Sequence, residues 1–150
     1  MRLVHNVTVS VFSRTAEEKN AIHKVLISLI PDEDPSKISI REEIAEAYDE
    51  TSIFIYSMKL HRQRIIRRFL ETLFDNLSSE DLQRIYDERE LRVDDEGCLY
   101  IRLDKASLKD GSFEMTDSGD CFHIRIKLAA YPKNKENAME ALGTLYQSFQ

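Results

Sequence analysis

The chain has 150 residues, 42% hydrophobic and 32% charged, a balance that excludes a disordered chain and suits one folded domain spanning 1–150. Lys and Arg number 21 against 27 Asp and Glu, and the net charge of −6 argues against indiscriminate adhesion to nucleic acid or anionic membrane. No apolar run approaches the ~20 residues needed to cross a bilayer, and the first residues lack a signal-like apolar core, so the expectation is a cytoplasmic protein with no membrane partner.

In chain order, residues 4–13 alternate, with Val7, Val9 and Val11 on one face and Asn6, Thr8 and Ser10 on the other, which predicts a half-buried strand. Thr15 to Glu18 reads as a capping box opening a helix with Ile22, Val25, Leu26 and Leu29 on one stripe, ended before Pro31. A strand is expected around Ile38 and Ile40. Residues 42–50 have helical composition yet sit where a hairpin arm would fit, and both readings stay open. Residues 52–60 are apolar on both faces, as in a central strand. A helix is predicted over 61–77, and Ser78 caps a second one to about Glu90. Asp95-Glu96-Gly97 is a turn before a strand at 98–103 with Leu99, Ile101 and Leu103 inward, and Asp104 caps a short helix over 105–109. Strands at 112–116 and 120–131 are expected to form a hairpin about Asp117-Ser118-Gly119. Pro132 suits the first position of a last helix with Met139, Leu142, Leu145, Tyr146 and Phe149 inward. The fold class is α+β: a mainly antiparallel sheet with helices packed on one side.

Catalytic signatures are scarce. Four glycines, at 97, 111, 119 and 143, make no phosphate-cradling loop, and no Gly-x-Ser-x-Gly elbow or His-x-x-x-His pair occurs. Cys98 and Cys121 stand 23 positions apart with no second pair, so they read as plain side chains. The expectation is a protein that is not an enzyme and has no cofactor and no metal; a hydrolase would need an acid–metal site that the sequence does not display.

Charge is distributed in blocks. Residues 51–70 hold Lys59, Arg62, Arg64, Arg67 and Arg68 and no acid, and residues 121–135 hold Arg125, Lys127, Lys133 and Lys135 and no acid. Against these, residues 32–50 carry eight acids and two bases, and residues 71–96 carry ten acids and three bases. On the predicted helix 61–77, Arg64, Arg67 and Arg68 lie opposite the apolar arc. Pairing of Arg67 and Arg68 with Glu71 accounts for part of that cluster, but arginines in a first helical turn oppose the macrodipole, a penalty that an anionic ligand would offset. On the strand from 120, His123, Arg125 and Lys127 face away from Phe122, Ile124 and Ile126, and Tyr100 and Arg102 join them if strand 98–103 lies alongside. Basic and aromatic groups interleaved on a sheet suit phosphate contact and base stacking; the plainer alternative is one wet sheet face. Lys133 and Lys135 add charge beside the free amides that open the last helix.

The stretch Leu91-Arg-Val-Asp-Asp-Glu-Gly-Cys-Leu-Tyr-Ile-Arg-Leu-Asp-Lys105, followed by Gly119-Asp-Cys-Phe-His-Ile-Arg-Ile-Lys-Leu-Ala-Ala-Tyr-Pro132, closely resembles an archaeal family of RNA-binding proteins, also described as predicted exosome subunits. Ile65-Ile66-Arg67-Arg68-Phe69 is similar to that family's arginine-rich helix start, and the likeness extends over nearly the whole chain. The resemblance implies an archaeal source and a fold like the large-subunit ribosomal protein of the L-five type, which holds the small ribosomal RNA. It brings no catalytic residues. Two departures are the absence of a glycine in Tyr48-Asp-Glu-Thr51, where the family often has one, and this member's acidic balance.

The expected function is a non-catalytic RNA-binding accessory protein in archaeal RNA processing or exosome-related metabolism. Arg62, Arg64, Arg67, Arg68, Arg102, Arg125, Lys127, Lys133 and Lys135 would contact phosphates, with Tyr100 and His123 as stacking groups. Exosome or ribosome-related proteins would be its partners. The alternative is a protein-interaction module or homodimer whose basic surface meets an acidic partner.

Overall fold

The computed structural model describes residues 2–46 and 51–149. The strands β1 (Val4–Ser13), β2 (Ile40–Glu46), β3 (Ser52–Leu60), β4 (Cys98–Asp104) and β5 (Cys121–Leu128) form one sheet in the order β2-β3-β1-β5-β4, antiparallel throughout. The register follows from the period-two pattern of β1. Val9 lies opposite Met58 on one side and Ile124 on the other, and Ile124 lies opposite Ile101, so one row of apolar side chains crosses four strands on a single face. Slipping any strand by one residue would turn that row to water, and the register is therefore strongly specified.

The helices α1 (Lys19–Ser28), α2 (Gln63–Asn76), α3 (Ser79–Asp87), α4 (Arg89–Arg92), α5 (Lys105–Lys109) and α6 (Lys135–Ser148) complete the chain. α1, α2, α3 and α6 bury Ile22, Leu26, Ile66, Phe69, Leu73, Ile85 and Leu142 in one cluster with that apolar sheet face. Side chains three and four apart in α2, from Ile65 and Ile66 to Leu73 and Phe74, are all buried, the stripe that the 3.6-residue period requires. α2 ends in the extended Leu77, and Ser78 opens α3 by accepting from the Asp81 amide at 3.1 Å. No helix among the described residues is long and apolar enough to cross a membrane.

Several local expectations change. Ile38 closes a 3-10 turn over Pro35–Lys37, and the strand runs instead from Ile40 through Glu46, which makes residues 42–46 a hairpin arm and not a helix. Residues 47–50 of its connection, and with them Tyr48 to Glu50 of the segment where the related family often has a glycine-containing turn, lie outside the described residues. The Glu18 carboxylate, expected to close a capping box, instead accepts from the Ser13 hydroxyl and Lys109, and α1 starts after a 3-10 turn at Ala16–Glu18. Residues 112–116 do not pair with β5: Met115 makes a single bridge to Leu103 on β4. β5 stops at Leu128, before the expected 131. Pro132, joined to Tyr131 by a cis peptide, precedes α6, whose cap is Asn134, accepting from the Asn137 amide at 2.8 Å. The buried stripe of α6 is Ala138, Ala141, Leu142 and Leu145, with Met139, Tyr146 and Phe149 partly exposed on its flanks.

The two edges of the sheet differ. Along β4 the outward carbonyls are claimed in turn: Cys98 O by the Asp94 amide (3.0 Å), Tyr100 O by Arg92 (3.3 Å) and Arg102 O by the Thr116 amide (3.0 Å). The Asp104 amide donates to Glu114 O at 2.8 Å. The left-handed Gly97 (φ 81°) lets the preceding turn fold back for this, with Asp94 Oδ1 accepting from the Glu96 and Cys98 amides. β2, at the other edge, has β3 as its one strand neighbour among the described residues.

Lys105, at the start of α5, is buried, and it ties one end of the sheet together. Its Nζ donates to Phe12 O at 2.6 Å and pairs with Asp120 at 2.8 Å and Glu18 at 3.9 Å.

Phe69 is fully buried, so Phe69→Ala should cost about 3–5 kcal/mol, while Leu91→Ala, at an exposed site, should stay within about 0.5 kcal/mol; chemical denaturation measures both. Hydrogen bonds from Lys109 and then Ser13 hold the Glu18 carboxyl below its usual range. The stability it contributes is present above the ordinary carboxylate range and is lost as pH falls through the lowered folded value. Glu18→Gln should therefore flatten the acid limb of the stability–pH profile, checked by urea titrations from neutral pH downward.

Candidate nucleic-acid interface

The sheet face turned away from the helices contributes nothing to the main core cluster. The register sorts its side chains into rows across the strands. One row runs Lys59, Thr8, Arg125 and Tyr100, and the next runs Arg41, Ser57, Ser10, His123 and Arg102. Lys127 and Asn6 begin a third row on one flank, and Phe12, with Ile55, continues the face at the other. Rows are two residues apart, about 6.7 Å along the strands, and neighbours within a row stand about 4.8 Å apart. Arg41, Lys59, Arg102, Arg125 and Lys127 thus share one solvent-facing surface. Acids of this face, Glu43 and Asp104, lie beyond these rows at the Phe12 end.

Most of these cations are uncommitted to carboxylates. Lys59, Arg102, Arg125 and Lys127 take part in none of the ion pairs among the described residues, whereas Arg41 pairs with Glu43 at 2.8 Å. Neutral contacts orient the guanidinium groups instead. Arg125 Nε donates to Cys98 Sγ at 3.3 Å, and Arg102 donates to Asp117 O at 3.2 Å. The Tyr100 hydroxyl donates to Asp94 Oδ2 at 2.9 Å, which fixes the ring at the border of the rows. Burial first, and then this carboxylate, raise the Tyr100 pKa, so the phenol stays protonated. Burial alone would raise the Asp94 carboxyl, but hydrogen bonds from the Cys98 amide, the Tyr100 hydroxyl and the Glu96 amide hold it low. His123 meets Phe12 edge to face, centroids 5.6 Å apart at 65°. Burial, and then Arg102, lower its pKa, so at neutral pH it is an uncharged ring.

The remaining basic residues lie elsewhere. Arg64, Arg67 and Arg68 are on α2, in the helical layer on the opposite side of the sheet, and Arg62 is its exposed N-cap residue. The acidic loop reaches two of them: Glu33, its side chain only 3% exposed, lies 3.2 Å from Arg64 and 3.7 Å from Arg68, and Arg68 also donates to Asp32 O at 3.2 Å. Arg67 pairs with Glu71 at 3.9 Å as expected, but Arg68 turns to Glu33 instead. Lys133 is joined to Glu96 at 2.7 Å and Lys135 to Glu90 at 3.6 Å, so the start of α6 is locally neutralised. The two acid-free blocks of sequence therefore do not merge as blocks. The sheet selects Lys59 from the first and Arg125 and Lys127 from the second, and adds Arg102.

Sequence reasoning placed Tyr100, Arg102, His123, Arg125 and Lys127 on one surface, and the structure brings those five together. It missed Lys59, Arg41 and Phe12 as members of that surface. The signal for Lys59 was present, since it alternates with Met58 and Leu60, but its neighbours depend on the pairing of β1 with both β3 and β5, which alternation alone does not show.

A sequence profile of a family described as RNA binding matches residues 6–128. The RNA-binding protein PAB1135 of Pyrococcus abyssi is 31% identical over 139 residues, covering 92% of this chain and 90% of that protein. Among solved structures, Mth689, a DUF54 protein from Methanothermobacter thermautotrophicus, aligns over 96% of this chain and 98% of its own at 27% identity and a TM-score of 0.76. AF2318 from Archaeoglobus fulgidus, at 23% identity over 95% of this chain and 99% of its own, shares the fold with a TM-score of 0.82. By the extent of the profile match and the likeness to the Pyrococcus protein, the chain belongs to this RNA-binding family.

Proposed function

We propose that the chain is a non-catalytic accessory protein that binds single-stranded RNA across its open sheet face. The observation that carries this reading is the group Lys59, Arg102, Arg125 and Lys127, outside every ion pair among the described residues and interleaved with Tyr100 and His123 on a solvent-exposed antiparallel face. Guanidinium forks suit phosphate oxygens, and aromatic rings accept stacked bases. A broad sheet cannot enter the deep, narrow major groove of an RNA duplex, which favours single strands or loops. The net charge of −6 repels RNA from the rest of the surface, so the footprint is local and oriented. A cytoplasmic setting in archaeal RNA processing, an exosome- or ribosome-related role, and kinship with the L-five ribosomal fold belong to the same proposal. They rest on the resemblance carried by residues 91–105 and 119–132.

A second reading, a protein-interaction module or homodimer, is favoured by β2, a free edge strand with Ile44 63% exposed. Light scattering of the free protein separates the two: a stable dimer without RNA affinity supports the module.

Binding of a fluorescent single-stranded RNA, followed by anisotropy over a salt series, tests the main reading. The variant Lys59→Gln/Arg125→Gln/Lys127→Gln should lose about 2 units of log–log salt slope, at about 0.7 per phosphate contact, whereas Arg67→Gln, on the helical side, should keep the wild-type slope. Equal slopes for wild type and the triple variant would remove the sheet face from the site.

A further inference from the structure

Beyond the cation rows, the open face runs into a groove of about 710 Å³ at the end of β1, within the usual range of small-ligand sites. Its apolar wall is Phe12, Ala45, Ile53 and Ile55, and Lys105 and Asp120 stand at its polar end. Phe12, near the end of β1, is 45% exposed and joins Ile55, opposite it, and Ile53 in one contiguous apolar patch. The ring is nevertheless held. Its backbone carbonyl is tied to buried Lys105, and its side chain abuts His123, the residue opposite Ser10 in the row that ends in Arg102. The groove is thus continuous with the cationic surface, and His123 is the link between them. The Asp120 side chain, 77% exposed, presents carboxylate oxygen at the rim as an acceptor for amino or imino hydrogens.

We propose that this groove takes one unpaired nucleobase of the RNA strand whose phosphates lie on Arg102, Arg125 and Lys59, with the base stacked on Phe12 over the Ile53–Ile55 wall. The assignment rests on the RNA-binding reading and sharpens it: the protein would be a base-dependent binder of single strands, not only a phosphate clamp. Along the groove Glu18 and Asp120 balance Arg14 and Lys105, and it is the continuity with Arg102 through His123 that favours a base of the bound strand as the occupant.

The test compares two fluorescent probes of equal length and charge, a 12-nucleotide oligoadenylate and the matching abasic phosphate chain, on the 150-residue chain. The wild type should bind the oligoadenylate more tightly by at least roughly 5-fold, the contribution of one stacked base. Phe12→Ala should remove at least roughly 5-fold of that preference with the salt slope unchanged, and Phe12→Tyr should retain it. Ile55→Glu, which puts a carboxylate into the groove beside the ring and keeps the ring itself, should reproduce the loss, with circular dichroism confirming that the variants fold. If Phe12→Ala and Ile55→Glu keep the wild-type preference, the groove is not a base site although the sheet still binds RNA. If the wild type binds neither probe at tens of micromolar, the RNA-binding reading fails and the groove assignment with it.

Discussion

The sheet is covered on one face only, and that asymmetry governs the rest of the molecule. Burying a Val, Ile, Leu or Phe side chain contributes about 1.5–3 kcal/mol, and β1 alone sends Val7, Val9 and Val11 into the core. An exposed ion pair contributes about 0–1 kcal/mol. Register is therefore set by the apolar rows, and the side chains on the other face are carried to their places by a fit they do not influence. Composition there is free to serve another end, and its central rows hold Lys59, Arg102 and Arg125 beside Tyr100 and His123, with Glu43 and Asp104 kept to the Phe12 end.

The same economy explains the second basic region. The arginines of α2 stand over a helical layer whose loop supplies Glu33, and the nearly inaccessible carboxylate of that residue holds Arg64 and Arg68. Lys133 and Lys135 meet Glu96 and Glu90 in the same way. Acidic and basic blocks far apart in sequence neutralise each other on the helical side. On the sheet side the nearest carboxylates are turned elsewhere, Asp94 toward Tyr100 and two amides, Asp120 toward Lys105. The acidic total therefore coexists with a sheet face on which Lys59, Arg102, Arg125 and Lys127 enter no ion pair among the described residues.

Much of this was legible in the sequence, and the limits were specific. The alternation of β1, the cap at Ser78 and the cap at Asp104 were read correctly because each is a local signal, complete within a few residues. The hairpin expected at 112–131 failed because residues 114–116 find their partner in β4, a choice made by tertiary packing. The capping box failed because Lys109, some ninety positions away, competes for the Glu18 carboxylate. For the site, residues on two neighbouring strands could be grouped, but Lys59 and Phe12 required knowing that β1 lies between β3 and β5. Alternation tells which face a side chain takes, and not which strands stand next to it.

The closed edge of β4 has a further meaning for assembly. With its carbonyls occupied by Asp94, Arg92 and Thr116, the sheet can accept another strand on the β2 side alone. Filament growth by strand addition needs two complementary edges on every subunit, and this subunit offers one. A sheet-extending association through β2 then ends at a pair.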